Sequence, residues 1–231
     1  MSLLLQIQTV PDSLTNPEIT EKTLSVVDLI TSGGIGGNLV MGALGILSIF
    51  AIYILIERFS AIKKASKEDE NFLKSIQNFV EAKDIEAAKT LCRNTDSSIS
   101  RMIEKGVNRI NKPMTDISAA IENQGKLEVF KMENNLANLA TISGAAPMIG
   151  FLGTVIGMIV AFHEMASAGG NIDVEMLSKG IYTAMTTTVA GLIVGIIAFI
   201  AYNYLVSKVD KVVFMLEAKT TEFLDLLHHN E

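Results

Sequence analysis

Tryptophan is absent from the 231 residues, and cysteine occurs once, proline four times and histidine three times. Each scarcity excludes something. The lone Cys92 rules out an internal disulfide, and the segment around it is expected on the reducing, cytoplasmic side. His163, His228 and His229 have no Cys or carboxylate at ligand spacing, so no metal centre is expected, and no cofactor motif is present. No nucleophile–base set suggests an enzyme. A net charge of -6, with no basic tract interleaved with aromatics, argues against nucleic acid as a partner. Met1-Ser-Leu-Leu-Leu-Gln lacks the basic start and long apolar core of a signal peptide, so no cleavage is expected. Without Trp, the interfacial belt of a membrane protein must use the four Tyr and other anchors.

Charge itself is missing from three stretches, residues 39–56, 139–162 and 180–207. Each is long enough to cross a bilayer, which takes roughly 17–25 residues. With 49% hydrophobic and 19% charged residues and a mean hydropathy of +0.37, the chain reads as an all-α integral membrane protein. Three transmembrane helices are expected, two of them extended into a cytoplasmic helical bundle. Of the 19 Lys and Arg, 17 fall in residues 57–138 and 208–231; Lys22 and Lys179 are the exceptions. That bias sets a topology of N outside and C inside. Residues 1–38 then form an outer, periplasmic segment and 163–179 a periplasmic connector, with 57–138 and 208–231 cytoplasmic. Thr23–Ile30 reads equally as a short surface helix or a loop.

Within 57–138, apolar residues recur at helical spacing in pieces: Phe72, Ile76, Phe79 and Val80; Ile85, Ala88 and Leu91; Ile99, Met102, Ile103 and Val107. Asp84 is placed to cap the second piece, and Pro113 to open another helix. From Pro113 the pattern predicts one long helix running unbroken into the second span, with Gly125 as its weak point.

The second span carries Gly150, Gly153, Gly157 and Ala161 every three or four residues, on one face that lets another backbone come close. Pro147 lies in the same helix and removes one backbone hydrogen bond, which predicts a kink. The third span has a matching seam of Ala184, Thr188, Gly191, Gly195, Ala198 and Tyr202. With the two helices antiparallel, Thr154 and Thr188 fall at one depth, each roughly 5–8 Å outside its helix centre. The pair, with Thr187 and Thr183 beside it, can line a wet path. Alternatively each hydroxyl bonds back to the carbonyl four residues earlier in its own helix. None of the three spans has an Asp, Glu, Lys, Arg or His, so an ion path here needs a carboxylate from a partner.

Ala146–Phe162 and Gly180–Asn203 together resemble the second- and third-helix signatures of the ExbB/TolQ/MotA proton-channel family, ExbB most of all, and the resemblance to ExbB and TolQ extends over the whole chain. It implies a homo-pentamer in the bacterial inner membrane. The second and third helices would line a pore around a dimer of ExbD/TolR-like single-span subunits, each bringing an Asp. It implies a stator that uses the proton motive force to drive a TonB-like transducer of outer-membrane transport. By position, the family's pore threonines fall on Thr154 and Thr188. Many relatives carry Glu where this chain has Thr183, and a frequent Pro is Ile197 here. A TolQ-like role in the envelope and a scaffold without conductance are the alternatives, and H+ against Na+ stays open.

Overall fold

The computed structural model describes residues 34–66, 70–167 and 174–228. The expectations for residues 1–33, including the Thr23–Ile30 segment, and for 168–173 lie outside the described residues. Seven helices follow in chain order among those described: α1 Gly34–Ala65, α2 Glu70–Glu81, α3 Ile85–Asn94, α4 Ser98–Val107, α5 Met114–Glu133, α6 Leu136–Ser167 and α7 Val174–His228. The all-α expectation holds. Three stretches are long and apolar enough to cross a membrane: Gly36–Ala65, Met114–Ser167 and Gly180–His228.

The uncharged runs of α1, α6 and α7 turn large apolar side chains outward. Ile46 and Ile49 of α1, Met148 and Phe151 of α6, and Phe199 and Ile200 of α7 are all exposed. A continuous coat of this kind has lipid or protein as its solvent. The inward faces are small instead, as the site requires. The helices also outrun the apolar stretches: α6 continues to Ser167 and α7 begins at Val174.

Below the spans lies a bundle whose pieces were legible. The Asp84 carboxylate accepts from the Ala87 N–H at 3.0 Å and caps α3. α2 stops because Lys83 turns left-handed, with φ 57. Its N–H reaches the Val80 carbonyl at 3.0 Å and the Asp84 N–H reaches that of Phe79 at 2.9 Å, a Schellman closure. Ser97 caps α4 in a reciprocal box with Ser100, a signal that the usual Ser-x-x-Glu pattern misses. Pro113 is the N-cap itself rather than the first helical residue. α2, α4 and α5 close on the extended α7 through Ile76, Ile103, Ile121, Leu216 and Phe223, all buried, and α3 packs on α2 and α4.

The unbroken helix predicted from Pro113 is corrected. It passes Gly125, against which Met102 of α4 packs so closely that an added Cβ would lie 2.9 Å from the Met102 methyl. It breaks instead at Asn134 (φ -52, ψ 139) and Asn135 (φ 64). This is the entry into a type II turn, where Asn is tolerated left-handed and most residues are not. The end of α1 clamps the break. Buried Arg58 donates to the Lys131 carbonyl at 2.9 Å and pairs with Glu57, and Glu57 in turn accepts from the Asn135 amide at 3.5 Å. An Arg on the last carbonyls of a helix satisfies acceptors that have no intrahelical partner.

Candidate functional site

The two small-residue seams meet each other within one chain. A Cβ on Gly150 would come to 2.7 Å from the Thr187 carbonyl, one on Gly157 to 2.8 Å from the Ala184 Cβ, and one on Gly180 to 2.6 Å from the Ala161 Cβ. A Cβ on Gly191 would come to 2.6 Å from the Ala146 carbonyl. Pro147 belongs to this seam: its ring lies against Gly195, where a Cβ would sit 2.6 Å from the Pro147 Cγ. α6 is continuous through Pro147. Approach of this closeness requires glycine on at least one side of each contact, and on both where Gly150 meets Gly191.

The four threonines picked from sequence part into two pairs. Thr183 and Thr187 are buried, with Thr187 only 2% exposed. They lie on the side that α1 covers: Gly153 sits between Thr187 and Val40, and Gly37 lies beside the Thr183 methyl. Thr154 and Thr188 sit at the half-exposed edge of the seam, and their hydroxyls hydrogen-bond to each other. The equal depth read from the sequence is therefore reproduced as direct contact.

The back-bonding alternative survives for Thr154 as a 3.5 Å contact with the Gly150 carbonyl, and an exchange between helices is added to it. Thr188 Oγ1 lies 3.2 Å from the Gly150 carbonyl, which is four residues before Thr154. Thr154 Oγ1 lies 3.2 Å from the Ala184 carbonyl, four residues before Thr188, and 3.5 Å from the Gly150 carbonyl of its own helix. Each hydroxyl thus addresses the neighbour's turn. Thr187 Oγ1 reaches the same two acceptors, Ala184 at 2.7 Å and Gly150 at 3.1 Å. Sequence spacing put Thr188 on the packing seam; the structure gives the buried place to Thr187 and moves Thr188 to the edge.

No Asp, Glu, Lys, Arg or His lies in residues 39–56, 139–162 or 180–207. The strongest electrostatic cluster is in the bundle. Glu128 is 2% exposed and accepts from Ser98, Arg101, Gln124 and Lys131 at 2.6–3.1 Å. Burial pushes its pKa up, but the hydrogen bonds from Arg101 and Lys131 outweigh burial and hold it at about 2. This site ties α4 to α5, and sequence periodicity gave no hint of it. Cys92 is buried, and burial, with the charge of Glu104, pushes its thiol up to about 12, so it is not a reactive thiol.

Fold and site define a helical membrane protein with a paired-hydroxyl edge between two closely packed spans. The sequence model of the MotA/TolQ/ExbB proton channel family matches residues 94–218, which include the bundle helices α4 and α5 and both small-residue spans. The chain belongs to this family, one of proton channels rather than of enzymes. It is 26% identical over 187 residues to a biopolymer transport protein ExbB homolog of Methanothermobacter thermautotrophicus, covering 80% of this chain and 64% of that protein. It is 24% identical to the Tol-Pal system protein TolQ of Pseudomonas aeruginosa, over 92% of this chain and 96% of that one. A biopolymer transport protein ExbB of Helicobacter pylori is 40% identical over 34% of this chain and 54% of its own length.

Proposed function

We propose that this chain is the wall subunit of an ExbB-type proton channel, and that Thr154 and Thr188 line its path. The observation that carries this reading is the mutual hydrogen bond of Thr154 and Thr188 at a half-exposed edge, in spans that hold no Asp, Glu, Lys, Arg or His of their own. Two hydroxyls can pass a proton along or solvate it, but they cannot store it, so a carboxylate must come from outside the chain. A single-span subunit of the ExbD/TolR kind, with a membrane Asp, supplies it. Several copies of this chain, five in the reading adopted here, surround that subunit in the bacterial inner membrane, N-terminus outward and C-terminus inward. The assembly acts as a stator, converting the proton motive force into work on a TonB-like transducer for outer-membrane transport. A second reading, TolQ-like service to the envelope, draws support from the near full-length match to a TolQ.

The test is proton uptake by liposomes holding the complex purified through a tag on this chain. Thr154→Val or Thr188→Val is expected to cut the flux tenfold or more, in the range of one lost proton-transfer group, roughly 10²–10⁴-fold at most. Unchanged flux in both variants would refute the assignment. Loss of TonB-dependent outer-membrane uptake on deletion favours the ExbB role; loss of outer-membrane integrity with uptake intact favours the TolQ role.

A further inference from the structure

Where the charge-free runs of α1 and α7 end, Phe59 and Tyr204 stack, with ring centroids 6.4 Å apart at 21°. Just beyond them each helix turns basic, with Lys63 on α1 and Lys208 and Lys211 on α7. The three lysines and the two rings line a cavity of about 330 Å³ between the helices, and no acidic side chain lines it. Lys208 Nζ lies 5.5 Å from the centre of the Tyr204 ring. Elsewhere on the same helices Lys64 pairs with Asp96 and Lys219 with Glu222. Lys63, Lys208 and Lys211 are exposed and have no ion pair among the described residues.

Further into the apolar runs, a narrow cleft between the same two helices is lined by Ile52 and Leu55 of α1 and Ile197 and Ala201 of α7. Ile52 stands seven residues before Phe59 and eleven before Lys63; Ile197 stands seven before Tyr204 and eleven before Lys208. At these spacings cleft and cavity share one face of each helix. An apolar cleft that leads into a cup of cations has the form of a phospholipid, chains first and phosphate at the end. Aromatic rings sit at headgroup level in a membrane, and lysines just beyond them draw anionic lipid. The lysine stems can lie along the rings while the ammonium groups reach a phosphate. A soluble phosphate would use the lysines alone and leave rings and cleft bare.

We infer that the cavity between α1 and α7 binds one anionic glycerophospholipid of the inner leaflet, with its phosphate among Lys63, Lys208 and Lys211 and an acyl chain along Ile52 and Ile197. Naming the inner leaflet rests on the orientation adopted above; the site itself does not. It is separate from the threonine pair. Sixteen residues of α7 part Thr188 from Tyr204, about 24 Å at 1.5 Å per residue. A lipid held there joins α1 to α7 at the level where both leave the bilayer, before α7 enters the bundle.

The test is native mass spectrometry of the complex purified through a tag on this chain, stripped of lipid in detergent and titrated with dioleoyl phosphatidylglycerol or dioleoyl phosphatidylcholine. Wild type is expected to hold the anionic lipid roughly tenfold more tightly or better, since choline sets a cation against the lysines. Lys63→Gln, Lys208→Gln and Lys211→Gln combined should weaken phosphatidylglycerol by roughly a hundredfold, about fivefold per lysine. The same charge loss at Lys74, Lys105 and Lys112, all exposed in the bundle, should change it little. Equal affinity of wild type for both lipids, or equal weakening in the two triple variants, overturns the inference. Displacement of the bound lipid by glycerol 3-phosphate also overturns it, because the cavity is then a site for soluble phosphate. The comparison of lipids on wild type needs no variant, and Lys208→Gln alone, expected about fivefold weaker, serves if the triple variant fails to assemble. Proton flux is not the readout, so the result is independent of the proposed path.

Discussion

Replacing Gly191 with Ala adds one methyl where α6 and α7 meet backbone to backbone. The new carbon would stand 2.6 Å from the Ala146 carbonyl, 2.9 Å from the Gly150 Cα and 3.1 Å from the Gly150 nitrogen. All three are backbone atoms, so no side-chain rotation relieves the clash. Ordinary contact is near 3.5 Å, so the helices must part by about 1 Å at this level. The Thr188 hydroxyl, now 3.2 Å from the Gly150 carbonyl, would end about 4.2 Å away, beyond hydrogen-bond reach. Overpacking of this kind costs about 1–3 kcal/mol. Lost bonds across the seam add about 0.5–1.5 kcal/mol each. The expected total is about 3 kcal/mol. Gly144 is the control: a Cβ there meets nothing within 4 Å, and Ala is the better helix former, so Gly144→Ala should be neutral or slightly stabilising. With no tryptophan to report, unfolding is best followed by circular dichroism along a titration with denaturing detergent. A Gly191→Ala protein as stable as wild type, or a Gly144→Ala protein equally damaged, would refute the account of the seam.

Three further outcomes follow from the bundle and its joint. Glu128→Ala leaves Arg101 and Ser98 without their buried acceptor and should destabilise the protein by about 3 kcal/mol in the same unfolding titration. The Glu128 pKa is lowered from 4.5 to about 2 on folding, so its contribution is complete above pH 4.5 and is lost as the pH falls toward 2. Wild-type stability should therefore drop through that window more steeply than that of Glu128→Gln. Asn135 has φ 64, so Asn135→Val should cost about 1–2 kcal/mol, and Asn135→Gly, which keeps the left-handed turn and loses only the long Glu57 contact, clearly less, again read from unfolding midpoints.

The break at Asn134–Asn135 shows where sequence reading runs out. Periodicity continued across it, because Leu136 and Leu139 stay in phase with the core; two adjacent asparagines were the only signal, and only the clamp by Glu57 and Arg58 makes them a turn. Pieces α2, α3 and α4 were legible because their apolar stripes are short and strictly amphipathic. Glu128 was not, because a buried carboxylate has no periodic signature and is defined by partners on other turns and helices.

The chain's own order of residues determined that it lives in lipid, that two of its spans bear small faces, and that Thr154 and Thr188 fall at the same depth. Those properties depend on transfer free energy and helical repeat, which are local. Tertiary structure alone decided that the small faces spend themselves on each other, that Thr187 rather than Thr188 is the buried hydroxyl, and that Thr154 and Thr188 reach carbonyls of the neighbouring helix. Those depend on the rotation of α6 and α7 about their axes and on how α1 covers them. Spacing along one helix fixes which residues share a face, but the direction that face turns is set by the helices that close against it.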